Sequence, residues 1–150
     1  MHHYTCSIEI GADPAAVFAF HTDPANLLRI SPRHLHVDIL RHDPPAEGAE
    51  VELRVRPLRL FSQHWRLRFD LFDPPRRLGD VMISGPFAHW KQVREFIPLR
   101  NGNTLLSDSV EYALPFGRIG RLANTLFIGH EIKSMFHQRQ KRTKRLLEMD

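Results

Sequence analysis

The sequence has little of what marks several common classes of protein. Its 150 residues include one cysteine, Cys6, which can form no disulfide within the chain and has no partner at zinc-finger spacing. No apolar run approaches the roughly 20 residues that a membrane-spanning helix needs. The N-terminus lacks the basic and apolar stretches of a secretory signal peptide. The length is that of one domain, so we expect a single cytoplasmic domain covering residues 1–150.

Motifs for cofactors and metals are also missing. There is no Gly-rich phosphate loop, no nucleophile elbow and no His-Glu-x-x-His sequence. His130 and His137 are seven residues apart, which on a helix places them roughly 10 Å from each other. That distance is too long for two ligands of one zinc ion. We therefore predict no cofactor and no metal.

The charge is unevenly distributed along an otherwise ordinary globular composition. The formal net charge is +4, and much of the excess lies in residues 139–145, near the C-terminus. Basic residues at a helix C-terminus oppose the helix dipole, which requires no partner. They can also make a weak contact with an anionic surface, here through Arg139, Lys141, Arg142, Lys144 and Arg145. We expect no specific nucleic acid partner, and the sequence leaves open whether the protein is a monomer or a homodimer.

The first 35 residues predict a strand followed by two short helices. Residues 5–10 alternate weakly and end at Gly11. Asp13-Pro14 and Asp23-Pro24 each supply an N-cap and a first-turn proline, and Ser31-Pro32 ends the second helix.

From His36 onward the hydrophobic period changes to two, which is typical of strands with one buried face. Pro-rich and Gly-containing turns divide about 80 residues into roughly six strands, as in an antiparallel meander. The last strand ends before Pro115-Phe116-Gly117, and the pattern from Arg118 to about Met149 is helical. In that helix one arc contains Ile119, Leu122, Ala123, Leu126, His130 and His137, and we expect it to face the sheet. A single helix of this length would span roughly 46 Å, so its basic end is predicted to overhang or fray.

This order of elements resembles the helix-grip fold of the START-like, or pollen-allergen-like, superfamily (SRPBCC). Several short segments resemble its bacterial polyketide cyclase/dehydrase-like branch: Gly85-Pro86-Phe87 before Trp90, residues 101–104, Asp108, Tyr112, and residues 114–117. The resemblance implies an α+β fold in which a curved antiparallel sheet of about seven strands wraps around a long C-terminal helix. It also implies a hydrophobic cavity between the sheet and that helix.

The superfamily serves several functions, so the resemblance implies binding but no single reaction. Our first hypothesis is a carrier or sequestering protein for a lipid, quinone, polyketide or similar ligand. The alternative is a cyclase/dehydrase-type enzyme that uses Asp108, Tyr112, His130 or Arg94. A second alternative is an interaction module that uses the basic helix end. Where relatives often carry Trp-x-His-x-His-x-Phe, residues 90–96 contain no histidine, which weakens any role that needs histidines on that strand.

The last hairpin determines which side chains share the cavity. A two-residue turn at Asn101-Gly102 would place Trp90 on the face of Leu105, whereas a three-residue loop through Asn103 would place it on the face of Leu106. We favour the three-residue loop, in which Arg94 lies diagonal to Asp108. Such an ion pair is either structural or binds a carboxylate, phenolate or carbonyl of an apolar ligand. The predicted cavity residues are Trp65, Leu67, Phe69, Trp90, Gln92, Arg94, Phe96, Asp108, Val110, Tyr112, Leu126, Phe127 and His130.

Overall fold

The structure, a computed structural model, describes residues 1–149. Its elements in chain order are β1 (His2–Ile10), α1 (Pro14–Thr22), α2 (Pro24–Ile30), β2 (Val37–His42), β3 (Glu50–Val55), β4 (Gln63–Asp73), β5 (Arg77–Ser84), β6 (His89–Pro98), β7 (Thr104–Ala113), α3 (Gly117–Ala123) and α4 (Gly129–Leu147). A π-helical turn, Asn124–Ile128, joins α3 to α4. Among these residues no helix is both long and apolar enough to cross a bilayer.

The seven strands form one antiparallel sheet in the order β1-β7-β6-β5-β4-β3-β2. Helix α4 packs against β1 and α2, and α1 packs against β6. The predicted α+β architecture, with two short helices after the first strand and a long C-terminal helix over the sheet, is therefore confirmed. The first strand starts at His2 rather than at the predicted Thr5.

The two short helices begin where the Asp-Pro pairs predict them. The Asp13 carboxylate accepts a hydrogen bond from the Ala16 amide at 2.8 Å, and the Asp23 carboxylate accepts one from the Ala25 amide at 3.0 Å. Each cap satisfies an amide that the first helical turn leaves without a partner. The caps fix where α1 turns into α2, and this corner later forms one wall of the site.

The β6–β7 hairpin has a three-residue loop of residues 100–102. Leu99 and Asn103 are joined by a 2.9 Å backbone hydrogen bond, and Gly102 has a φ of 86°, in the left-handed region that glycine adopts without strain. The predicted loop length and shared face are correct, but the loop lies one residue earlier than predicted. As a result Arg94 pairs directly with Asp108 instead of diagonally.

The C-terminal helix departs from the prediction because it is not one continuous α-helix. The π-helical turn inserts one residue, which rotates the downstream face by about 100°. Helix α4 therefore turns Ile132, Met135 and Phe136 toward the sheet. Helix α3 packs through Gly120, where an added Cβ would collide with the Pro115 carbonyl oxygen.

The predicted inward arc of this helix lies mostly on the surface. The residues of the arc that are exposed are Ile119, Leu122, Leu126, His130 and His137. The apolar residues of the arc do have amphipathic helical spacing. The rotation at residues 124–128, however, places other residues on the buried face.

The basic end of α4 does not overhang. The Lys144 ammonium donates a 2.9 Å hydrogen bond to the Glu9 carbonyl and contacts the Glu148 carboxylate at 2.7 Å. Arg142 donates to the Ser31 carbonyl. These contacts hold the last turns of the helix against β1 and the end of α2.

Candidate functional site

A cavity of about 90 Å³ lies between the concave face of the sheet and the corner formed by α1 and α2. Its apolar walls come from β3, β4 and β6 on one side and from the two helices on the other. The lining side chains that contribute most of the apolar wall are Phe20, Leu27, Ile30, Val51, Leu53, Trp65, Leu67, Phe69 and Trp90. The opposite end of the cavity is polar and includes His21, Asp80, Gln92, Arg94 and Arg139.

Six of the predicted residues line this cavity. They are Trp65, Leu67, Phe69, Trp90, Gln92 and Arg94. Asp108 lies just behind them and borders a narrow space of about 10 Å³ that continues from the polar end. The three-residue hairpin loop is what places Trp90, Arg94 and Asp108 on one face, because a two-residue turn would have moved one strand by one residue and reversed its faces.

Three other predicted residues are buried but pack into the core instead of lining the cavity. Phe96 lies in a cluster with Phe18 and Leu106, while Val110 and Tyr112 pack under α4. The Tyr112 hydroxyl donates a 2.6 Å hydrogen bond to the Asn124 side-chain oxygen and is thereby engaged outside the cavity. The aromatic and aliphatic pattern could not separate core from cavity lining, since both need the same residue types.

The remaining three predictions are wrong. Leu126 is 54% exposed and Phe127 is 66% exposed, so neither reaches the cavity. His130 is also exposed and borders a surface groove beside the N-terminal end of β1. All three errors arise because the sequence was interpreted as one unbroken α-helix. With the π turn, these side chains lie on the outer surface.

A buried network of charged and amide side chains forms the polar end. The Asp108 carboxylate accepts a 2.9 Å hydrogen bond from Gln140 and a 3.3 Å hydrogen bond from Gln92. The Arg94 guanidinium lies between two carboxylates, with its Nε 3.5 Å from Asp108 and its Nη1 3.7 Å from Asp80. Burial raises the pKa of the Asp80 carboxyl, and the positive charge of Arg94 partly offsets that rise. The network places charge at the bottom of an otherwise apolar space.

His21 contributes a neutral imidazole to the same end. Its Nδ1 donates a 2.9 Å hydrogen bond to the Val17 carbonyl, because a carbonyl oxygen can only accept. Burial, reinforced by the positive charge of Arg94, lowers the pKa of His21 to about 4. The ring therefore stays uncharged at neutral pH, with Nε2 left as an acceptor.

We expect His21 to make the fold sensitive to acid. The pKa of His21 falls from 6.5 in the unfolded chain to about 4 in the folded one, so the unfolded state takes up the proton first. The neutral ring makes its full contribution to the free energy of unfolding above pH 6.5. This contribution, about 3 kcal/mol in total, is lost as the pH falls toward 4.

Urea unfolding at several pH values, compared between the wild type and His21→Asn, measures this loss. The two proteins share Asp80 and the other charged groups of the site, so their difference isolates the imidazole. We expect the wild type to lose stability relative to His21→Asn as the pH falls. The exposed His42→Asn serves as the matched control and should follow the wild type. Parallel pH profiles for wild type and His21→Asn would contradict the assignment.

Several cavity residues were not predicted. Val51 and Leu53 belong to a strand whose alternation was recognised, and their shared face with Trp65 follows from the β3–β4 register. Phe20 and Ile30 required knowledge of how α1 and α2 pack. Arg139 was read as part of the basic surface run, yet it lies on the buried face of α4, three residues beyond Phe136. The i, i+3, i+4 spacing from Ile132 onward could have placed it there.

Within residues 1–149 no cluster of three or more His, Cys, Asp or Glu side chains is arranged to hold an ion. Burial raises the pKa of the Cys6 thiol to about 11, which leaves it largely protonated and a poor nucleophile at neutral pH. The arrangement favours binding an apolar group beside a charged end.

Comparisons with known proteins agree with this geometry. A protein from Chromobacterium violaceum has the same fold with a TM-score of 0.79 and 17% identity, over 100% of both chains. A START superfamily protein from Mycobacterium smegmatis matches with a TM-score of 0.72 and 16% identity, over 97% of this chain and 99% of that one. A protein from Nitrosomonas europaea matches with a TM-score of 0.74 and 14% identity, over 98% and 94%. None of the curated proteins compared with the chain is similar enough to be a relative.

At these identities the structural matches show the fold, which is the helix-grip fold of START-like proteins. The family follows from the sequence itself: residues 1–148 match the family described as polyketide cyclase/dehydrase and lipid transport. The chain therefore belongs to that family of the START-like (SRPBCC) superfamily, and its fold is one that binds hydrophobic ligands.

Proposed function

We propose that the protein binds a small, largely apolar molecule in the cavity and carries or sequesters it in the cytoplasm. The observation that supports this most directly is the open space between the α1–α2 corner and a wall that contains Leu53, Trp65 and Trp90. Close packing normally fills protein interiors and leaves few voids larger than a water molecule. A space bounded by large apolar side chains is what a ligand of the same character requires.

The size of the cavity limits what enters it. Its volume of about 90 Å³ is below that of a cavity of roughly 150 Å³ that holds a benzene ring. The ligand, or the part of it that enters, is therefore no larger than a short chain, and a ring enters only if the α1–α2 corner moves. The end of a lipid tail meets this limit, whereas the ring of a quinone or of a polyketide requires that movement.

The enzyme alternative receives less support from the positions of its residues. Of the four side chains considered for catalysis, Tyr112 is hydrogen-bonded to Asn124 outside the cavity and His130 is on the surface. Arg94 and Asp108 remain, but they contact each other. The interaction-module alternative is weakened too, because Lys144 is engaged by Glu9 and Glu148, and Arg139 lies in the cavity wall.

Intrinsic fluorescence provides the test, because the only two tryptophans of the chain, Trp65 and Trp90, both line the cavity. Titration with 1-octanol should change tryptophan emission with a saturable dependence. Native mass spectrometry of freshly purified protein should also detect a small molecule bound in a fixed ratio.

A pair of leucine variants locates the binding. Leu53→Phe adds volume inside the cavity and should weaken binding of the titrated compound by about tenfold or more. Leu40→Phe makes the same change at an exposed position of β2 and should leave binding unaltered. Absence of saturable emission changes together with absence of a bound small molecule would overturn the proposed function. Equal effects of the two variants would exclude this cavity.

A further inference from the structure

Arg139 is a cation that the structure leaves without a partner. Its Nε is buried and makes no hydrogen bond within residues 1–149, although the residue as a whole is partly exposed. Within residues 1–149 no carboxylate oxygen lies within 4.0 Å of its guanidinium, whereas Arg94 has two such neighbours. An arginine keeps its charge at neutral pH, and five N–H groups require acceptors. A largely buried charge without a close partner is costly, and an anion bound beside it would compensate that cost.

The neighbouring carboxylates lie closer to Arg94 than to Arg139. Asp108 accepts hydrogen bonds from Gln92 and Gln140 and also contacts Arg94. Asp80 contacts Arg94 through Oδ2 at 3.7 Å, and its buried Oδ1 makes no hydrogen bond within residues 1–149. Burial and the nearby positive charge of Arg94 lower the pKa of Arg139 to about 10, which still leaves it protonated at neutral pH. The negative charges of Asp108 and Asp80 offset this lowering only in part, and neither carboxylate contacts the Arg139 guanidinium directly.

The position of Arg139 determines where a compensating anion would lie. Its side chain lines both the apolar cavity and the narrow space behind it, beside His21, Gln92 and Arg94. An anionic group in this corner would have the apolar walls of the cavity extending away from it, toward Leu53 and Trp65. A molecule with one charged end and one apolar end matches this arrangement.

A carboxylate suits this corner better than a phosphate. The space behind the cavity is about 10 Å³, room for about one water molecule, so the anionic group itself would lie in the cavity. Asp80 and Asp108 lie at the same end, and a doubly charged phosphate would face stronger repulsion from them than a singly charged carboxylate. A planar carboxylate also accepts two parallel hydrogen bonds from a guanidinium.

We propose that the ligand is an amphipathic carboxylic acid whose carboxylate pairs with Arg139 and whose hydrocarbon part fills the apolar cavity, an inference that rests on the proposed function. Arg94 is then the structural member of the two arginines, held by Asp80 and Asp108, and Arg139 is the one that recognises the ligand.

Octanoate and 1-octanol, which share one hydrocarbon chain and differ in the charge of the head, test this with the full chain at pH 7.5. Tryptophan emission should show octanoate binding at least tenfold more tightly than 1-octanol. Arg139→Met should abolish that preference. We expect it to weaken the binding of octanoate at least tenfold and to change the affinity for 1-octanol less than twofold. Arg139→Lys should restore part of the preference. Arg145→Met, at an exposed position of the same helix, should behave as the wild type.

The affinity for 1-octanol also shows whether a variant is folded. If Arg139→Met acted only on the structure, it would weaken the binding of both compounds equally, and that result would overturn the proposal. Equal binding of both compounds to the wild type would overturn it as well, while leaving apolar binding in the cavity intact. Failure of both compounds to bind the wild type would instead count against the proposed function.

Discussion

Truncation of Phe136 to alanine is expected to lower the free energy of unfolding by about 3–5 kcal/mol, as for other large aromatic residues removed from protein cores. Phe136 is 1% exposed, and its ring stacks on Trp90 with centroids 6.4 Å apart and an interplanar angle of 13°. Its ring centroid also lies 6.2 Å from that of Tyr4 on β1. The side chain therefore joins helix α4 to two strands, and no smaller residue can replace these contacts without leaving a void.

Phe127→Ala is the matched control, because it makes the same change on the same helical segment at a side chain that is 66% exposed. We expect it to change stability by less than about 0.5 kcal/mol. Urea unfolding followed by circular dichroism measures both variants. Equal losses for the two would show that the C-terminal helix is rotated differently from the arrangement described, with Phe127 buried.

Asp108→Ala is expected to have a loss of similar size, about 3–5 kcal/mol, for a different reason. The Asp108 carboxylate is the acceptor for Gln92 and Gln140 and a partner of Arg94. Its removal leaves buried donors unpaired and a buried guanidinium with one partner, Asp80, at 3.7 Å. Breaking one side of a buried charge network is much more destabilising than its net contribution suggests.

Asp38→Ala is the control for this prediction. Asp38 also contacts two arginines, Arg54 at 3.3 Å and Arg56 at 3.2 Å, but its side chain is 43% exposed. Water compensates an exposed pair when one partner is removed, so we expect a loss below about 1 kcal/mol. A loss of less than about 1 kcal/mol for Asp108→Ala in chemical unfolding would contradict the description of a buried network.

The parts of the fold that the sequence predicted are those with local physical signals. Asp13-Pro14 and Asp23-Pro24 specify helix starts through a cap and a preset φ, and both helices begin there. The alternation of strands between His36 and Leu114 required only that one face be buried. The shared face of Arg94 and Asp108 depended on the hairpin loop, and the glycine at its third position favoured the correct parity.

The errors concern features that depend on contacts between distant segments. A π-helical turn at residues 124–128 has no local signature that periodicity detects, and the real amphipathic spacing of Ile119, Leu122 and Leu126 pointed to the wrong face. Composition alone assigned Arg139 to a basic surface. The packing of Met135 and Phe136 beneath α4 shows that Arg139 follows them toward the cavity, where the helical spacing from Ile132 onward would also have placed it.

The position of β1 in the sheet has a consequence for how the domain is made. Tyr112 on β7 pairs with His2 on β1, and Ile10 pairs with Thr104. About a hundred further residues must therefore be synthesised after β1 before it can pair with β7. At usual rates of synthesis that interval is roughly 5–20 s. During it β1 has an unpaired edge and cannot pack against α4, which is made last. Folding is therefore slow for a chain of this size and completes only after nearly the whole chain has left the ribosome, because non-local pairing must be closed before any of its stabilisation is gained.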